Sequence, residues 1–351
     1  MTCYLLHFLL VLSFLVLPFG SIVEAKYALI VPHSASTEIP YKLDPNLPPS
    51  KWHFWQRIHK KIQAHGLTFR LSHLNEFAAP QHLKSQQKNV ACIVCCNIPV
   101  WIKEWRKKLQ TAKKHLHCTL ILLAFEPPSI LPGMYSKETI RLFDKIVTWN
   151  DSLIDNKKFF KFNYFALWPQ IQPLVPFSQK KLIVQMSGNK FSSHPDELYS
   201  ERLKVIQYFE KRGGNEFEFY GPGWEKKGFA NYRGTVADKI QTLKNYRFCV
   251  CYENIKNIKG YITEKLTDCF IAGSVPIYWG ASNITDYIPA NCFIAREKFD
   301  TMDTLLSFLK NMPEREYNRY LENTRLFLES DKAKQYSYET VTVDIANAIC
   351  S

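Results

Sequence analysis

The stretch Phe248–Gly280, "FCVCYENIKNIKGYITEKLTDCFIAGSVPIYWG", decides the reading of this chain. It opens as an apolar strand, breaks into a polar loop, restarts as a helix and closes with a second apolar run ended by Gly280. Near-continuous apolar strands separated by a helix describe a parallel sheet covered on both faces. Such sheets take ligands at the carboxyl ends of their strands. Glu253, Asn254, Tyr261, Glu264 and Lys265 fall at that edge.

The alternation extends outward in both directions. Strands are predicted at Leu182–Met186, Phe217–Tyr220, Phe248–Tyr252 and Val275–Trp279, with helices at Glu197–Arg212, Val236–Tyr246 and Ile262–Ala272. Before the Pro-rich Trp168–Lys181, an earlier set runs through Ala28–Pro32, Leu67–Leu71, Val90–Cys96, Cys118–Phe125 and Lys145–Trp149, the last strand expected there. Helices are predicted at Trp52–His65 and Val100–His117. The fold class is therefore α/β, with two Rossmann-like domains whose parallel sheets face a central cleft. The expected division is 1–25 as a signal peptide or signal-anchor, 26–170 as the first domain, 171–181 as linker and 182–351 as the second domain. From Thr301 onward the chain reads as helical and able to pack back across the domains.

The length of 351 residues fits two domains of ordinary size, and a hydrophobic share of 46% supports real cores. The formal net charge of +13 favours an anionic partner. The basic residues lie in short scattered clusters such as Lys60-Lys61 and Arg106-Lys107-Lys108, without a nucleic-acid signature, so nucleic acid is not the expected partner. Cys3–Phe19 is an apolar run, and Val23 and Ala25 fit the small-residue rule for cleavage. Export is one expectation and membrane attachment through this segment the other. Cys92, Cys95, Cys96, Cys118, Cys249, Cys251, Cys269 and Cys292 sit in apolar segments and read as small core hydrophobes. Cys92 and Cys95 lack a second ligand pair, so no zinc site is expected. Asn150-Asp151-Ser152 and Asn283-Ile284-Thr285 match the glycosylation sequon.

Three sets of residues carry candidate chemistry. Tyr261, Glu264 and Lys265 stand at i, i+3 and i+4, on one face of a helix expected to begin near Ile262. Backbone N–H groups at a helix start attract phosphate, and an acid beside a base suits a nucleotide. The same spacing equally describes a surface Glu–Lys pair beside a packing tyrosine. Glu126 follows the buried run "CTLILLAF" and precedes Pro127-Pro128, where a carboxylate can act as general base; composition alone favours a solvated loop glutamate. Arg202 follows the long polar loop within "VQMSGNKFSSHPDELYSE" and can clamp a phosphate; by itself it reads as a surface arginine.

The opening stretch, with "FCVCYEN", "GYITEK" and "AGSVPIYWG" in order, closely resembles the signature of glycosyltransferase family ten, the α1,3/4-fucosyltransferases. "AFEPPS" at Ala124–Ser129 is similar to the family's acidic motif, and "FYGPGW" at Phe219–Trp224 to its glycine turn. The resemblance implies a GT-B fold, with an N-terminal acceptor domain and a C-terminal GDP-fucose domain, and inverting transfer of L-fucose to a glycan hydroxyl, O3 of GlcNAc being the expected position. Acceptors of the N-acetyllactosamine type or the N-glycan core follow from the same likeness. It implies Glu126 as the general base, Arg202 and Lys265 on the diphosphate, Glu264 on the ribose, Tyr261 near the donor's sugar or phosphates, and Asn254 lining the donor pocket. Tyr252 stands where the family has Phe, Ile255 follows Asn254 where many members have Ser, and Cys350 stands without the C-terminal Cys-x-x-Cys of animal members. The chain thus reads as a divergent or microbial-type member.

With no D-x-D motif for a divalent ion, fixed cations are expected to hold the diphosphate, with no metal or other cofactor. Two rivals remain at this stage: a same-fold transferase using another nucleotide sugar, and a glycan-binding relative without turnover. The expected location is a Golgi-type lumen in a eukaryote or the envelope in a bacterium.

Overall fold

The computed structural model describes residues 26–31, 51–71, 89–97, 102–164 and 173–351. The N-terminal apolar segment, with its signal and anchor readings, lies outside them, as do residues 33–50 and 77–88 of the first domain. Among the described residues, no helix is long and apolar enough to cross a membrane.

The first sheet is parallel throughout, in the order β2-β1-β3-β4-β5-β6. Its strands are β1 (Lys26–Val31), β2 (Leu67–Leu71), β3 (Val90–Cys96), β4 (Thr119–Ala124), β5 (Lys145–Thr148) and β6 (Phe159–Lys161). β3 and β4 are apolar at nearly every position because both of their faces are covered. β6 corrects the expectation that Lys145–Trp149 would be the last strand. It pairs with β5 at the sheet edge and is only three half-buried residues long, so no apolar run announces it. Helix α1 (Lys51–Gln63) covers one face, and α2 (Lys103–Leu116) buries Leu109, Ala112 and Leu116 against the other. His117 ends α2 in the left-handed conformation at φ 48°. Further on lies a short helix, α3 (Lys137–Leu142).

The second sheet is also parallel, ordered β11-β10-β9-β7-β8. It comprises β7 (Lys181–Met186), β8 (Phe217–Tyr220), β9 (Tyr246–Tyr252), β10 (Val275–Trp279) and β11 (Ile294–Ala295). Between them run α4 (Tyr199–Arg212), α5 (Lys239–Leu243), α6 (Glu264–Ala272) and α7 (Ile284–Tyr287); α8 (Met302–Asn311), α9 (Glu314–Glu329) and α10 (Asp331–Lys334) follow. α5 is five residues, much shorter than the helix expected over Val236–Tyr246, because the Asp238 side chain caps its start by accepting the Gln241 N–H and β9 already begins at Tyr246. The last helix, α11 (Tyr338–Cys350), crosses back and buries Val341, Ile345, Ala346, Ala348 and Ile349 in the core of the first domain beside α1.

A second crossing lies in the loop after β9. Ile255 and Tyr261 are buried in the first domain's core with Trp149 and Phe162. Asp151, just past β5, accepts from Lys161 Nζ at 2.5 Å, Tyr287 Oη at 2.6 Å and Asn283 Nδ2 at 2.9 Å. The Asn283 side-chain Oδ1 meanwhile accepts the Gly260 N–H at 2.9 Å. The Asn283 sequon is therefore spent on joining the domains. The carboxyl ends of both sheets meet across the gap that this contact sets. The eight core cysteines named from sequence are all buried and free. Burial pushes the thiols of Cys92 and Cys96 up to about 12, as expected of core hydrophobes.

Candidate active site

The cleft between the sheets has a volume of about 310 Å³. Glu126 and Tyr164 line it from the first domain, and Arg202, Asn254, Tyr261, Glu264 and Lys265 from the second. The six residues singled out from the sequence thus meet in one place.

Glu126 is set by backbone contacts on both sides. Asn97 follows β3 with φ at 51°, and its side-chain oxygen accepts the backbone N–H groups of Phe125 at 2.8 Å and Glu126 at 3.0 Å. The Phe125 carbonyl accepts the Trp149 indole N–H at 2.9 Å and the Tyr164 hydroxyl. The Glu126 side chain is left half-buried at the cleft edge, where it can take a proton from a bound hydroxyl.

The opposite wall is one connected network. Arg202, in α4, is only 6% exposed. Its Nη2 donates to the Tyr252 carbonyl at 2.5 Å and to Asn254 Oδ1 at 3.1 Å. Asn254 Nδ2 donates in turn to the Tyr261 hydroxyl at 3.1 Å. Burial lowers the pKa of the guanidinium. A surface role for Arg202 is therefore excluded, and part of its fork is already committed to holding the loop after β9.

α6 begins at Glu264 with Thr263 as N-cap, not near Ile262. Tyr261 accordingly precedes the helix, and the expected shared helix face does not exist. Gly260, at φ 82°, turns the chain just before it, and the Tyr261 ring packs on Trp149 at 4.5 Å and Tyr164 at 5.9 Å. The cap itself rests on Glu253, which is fully buried. Its carboxylate accepts the Thr263 N–H and hydroxyl, each at 2.7 Å, and lies 3.2 Å from Lys265 Nζ. Lys265 Nζ also donates to Thr263 Oγ1 at 2.9 Å. Glu264 projects into the cleft. Burial pulls its carboxyl up, but the ammonium groups of Lys265 and Lys239 outweigh this and hold it below the usual range, so it stands ionised.

Sequence reasoning passed over several lining residues. Lys239 opens α5 and pairs with Asp268 at 2.6 Å. Ser187, Gly188 and Lys190 come from the loop after β7, whose polar character was the signal available. Glu253 falls at the expected ligand edge but was given no role, and Asn97 was passed over; both act on the site through hydrogen bonds that no spacing rule reveals.

Residues 177–350 match the family described as glycosyltransferase family 10 (fucosyltransferase) C-term. The second domain of this chain belongs to that family. An α-(1,4)-fucosyltransferase of Arabidopsis thaliana is 39% identical over 149 residues, covering 39% of this chain and 35% of that one. A 4-galactosyl-N-acetylglucosaminide 3-α-L-fucosyltransferase 9 of Mus musculus is 38% identical over 116 residues, 32% of this chain and 30% of that one. The matches thus span about a third of the length of these curated relatives. A crystal structure of an α1,3-fucosyltransferase superposes with a TM-score of 0.55 at 13% identity, covering 93% of this chain and 91% of that one. The same kind of enzyme crystallised with GDP-fucose gives 0.53 at 13%, over 93% and 92%. These likenesses show the two-domain GT-B fold.

Proposed function

We propose that this chain is an inverting transferase that moves L-fucose from GDP-fucose to a glycan hydroxyl, with O3 of GlcNAc as the position attacked. The observation that carries this reading is the placement of Glu126 on one wall of the cleft and of Arg202, Glu264 and Lys265 on the other. In a direct displacement, the acceptor oxygen attacks the anomeric carbon from the face opposite the diphosphate. The new C–O bond forms as the bond to the diphosphate breaks, its electron pair leaves on GDP, and the hydroxyl proton passes to Glu126. A base and a leaving-group site on facing walls suit that in-line geometry, and inversion follows from it.

Arg202 and Lys265 stabilise the charge that grows on GDP as the bond breaks, which is where an electrostatic contact lowers the barrier. Glu264, ionised, accepts from ribose hydroxyls, and Asn254 and Tyr261 shape the donor wall. Fixed cations do the work that a divalent ion does in other transferases, so the reaction is metal-independent. The relatives named for action on galactosyl-N-acetylglucosaminide make N-acetyllactosamine-type glycans the first acceptors to try. The reaction needs a compartment supplied with GDP-fucose, such as a secretory lumen.

The test is incubation of purified protein with GDP-fucose and a panel of N-acetyllactosamine-type and chitobiose-type glycans, with and without EDTA, read as mass shift. One deoxyhexose added to a glycan, unaffected by EDTA, is expected. Transfer with a non-GDP donor alone removes the fucosyl reading.

A further inference from the structure

Four cationic side chains line the cleft: Lys190, Arg202, Lys239 and Lys265. Three are already engaged. Lys239 lies 2.6 Å from the Asp268 carboxylate, Lys265 lies 3.2 Å from that of Glu253, and Arg202 spends Nη2 on the Tyr252 carbonyl and Asn254. With Glu126 and Glu264 also lining the cleft, four carboxylates stand against four cations. A site so balanced gains most from a further cation that can turn toward a diphosphate without abandoning an acid, beside the contacts of Arg202 and Lys265. Lys190 is that cation: it is exposed and, among the described residues, makes no ion pair.

The chain around Lys190 is built to present it. Ser187 N–H donates to the Tyr220 carbonyl at 2.9 Å, and the Trp224 indole N–H donates to the Ser187 carbonyl at 2.7 Å. Asn189, next to Lys190, is held twice on the Gly221-Pro222-Gly223 turn. Its N–H donates to the Pro222 carbonyl at 2.9 Å and its Nδ2 to the Gly223 carbonyl at 3.0 Å. The backbone is fixed up to the residue before Lys190, while the four-carbon stem beyond it stays free to swing.

We propose that Lys190 is a further catalytic residue, whose ammonium binds the diphosphate of the nucleotide sugar and neutralises the oxygen that departs. This rests on the transferase reading above and adds to it the cation that answers the incoming charge. As the anomeric C–O bond breaks, the electron pair moves onto the diphosphate oxygen and Lys190 meets it as a full positive charge. No proton leaves Lys190 in this step; the acceptor's proton goes to Glu126.

The experiment compares wild type, Lys190→Met, Lys190→Arg and Lys265→Met by calorimetric titration with GDP and with guanosine, and by steady-state transfer. Lys190→Met keeps most of the stem at an exposed position and removes only the charge. It is expected to weaken GDP about tenfold, the scale of one charged hydrogen bond. Guanosine binding and the acceptor KM are expected to stay unchanged. kcat is expected to fall about 10²-fold, the scale of losing one transition-state donor, and Lys190→Arg is expected to restore most of both losses. If Lys190→Met binds GDP and turns over like wild type while Lys265→Met loses GDP, the assignment of Lys190 is wrong and the transferase reading stands. If wild type itself binds neither GDP nor guanosine, the transferase reading fails instead.

Discussion

Gly260 lies so close to the Trp149 carbonyl that a Cβ on it would sit 2.4 Å from that oxygen. One residue belongs to the donor-side loop and the other to the first domain. Their approach lets Tyr261 enter the first core and lets Lys259 accept the Asp151 N–H at 3.2 Å. The cleft width is therefore set by a backbone contact that only glycine permits, at a φ of 82° where glycine is also the unstrained residue.

Gly260→Ala combines left-handed strain with a clash against backbone that cannot swing away. A loss of roughly 2–4 kcal/mol is expected, read as a lowered Tm together with weaker GDP binding, since the same loop carries Asn254 and Tyr261. A Tm equal to wild type would mean that the domains separate at no cost and that this contact does not set the cleft.

Glu126→Gln keeps the shape of the side chain and removes its basicity. Transfer is expected to fall by about 10²–10⁴-fold, the usual scale for a positioned base, with GDP affinity unchanged. Asn97→Ala releases the two N–H groups that hold Phe125 and Glu126. It is expected to lower kcat about tenfold and stability by about 1–3 kcal/mol. An unchanged rate in Glu126→Gln assigns the base elsewhere.

Glu253→Gln removes the nearer, fully buried carboxylate from Lys265 and leaves it only Glu264 at 4.0 Å. Breaking such a pair costs about 3–5 kcal/mol, measurable by denaturant titration. Lys265→Met in the same background is expected to recover part of the loss, so the two changes are less than additive. Strict additivity would show that Glu253 stabilises the start of α6 through Thr263 alone.

Lys180 provides a pH signature away from the cleft. It is 4% exposed, its Nζ donates to the Gly273 carbonyl at 2.5 Å, and burial lowers its pKa from 10.5 to about 8. Below pH 8 both folded and unfolded chains carry the proton, and the folded state bears the cost of a buried charge. From about 8 to about 10.5 the folded chain has released its proton and the unfolded chain has not, so this group makes stability rise with pH by roughly 3 kcal/mol at most. Lys180→Met is expected to raise Tm at pH 7 and to remove that rise, seen as the difference between the two proteins across the window. The same pH slope in both would mean that the native ammonium is solvated.

Local patterning was enough for several strands. Val90–Cys96, Phe217–Tyr220 and Val275–Trp279 have the bounds that their runs suggest. Phe248–Tyr252 lost only the two residues before it, Tyr246 and Arg247, whose polar atoms mask strand character. The short edge strand Phe159–Lys161 and the true start of α6 were not legible, because pairing at an edge and a cap resting on a distant carboxylate are set by neighbours in space.

The linear chain by itself determined the two parallel sheets and the core cysteines, because periodicity is a local property. The grouping of Glu126, Arg202, Asn254, Tyr261, Glu264 and Lys265 came instead from the resemblance to family ten, since local pattern reads Glu126 and Arg202 as solvated residues. Only the tertiary structure decided that Ile255 and Tyr261 would bury themselves in the other domain, that α11 would return to α1, and which cations keep an acid partner. Those outcomes depend on distances between residues far apart in the chain, and close approach is what fixes both the shape of a cleft and the balance of its charges.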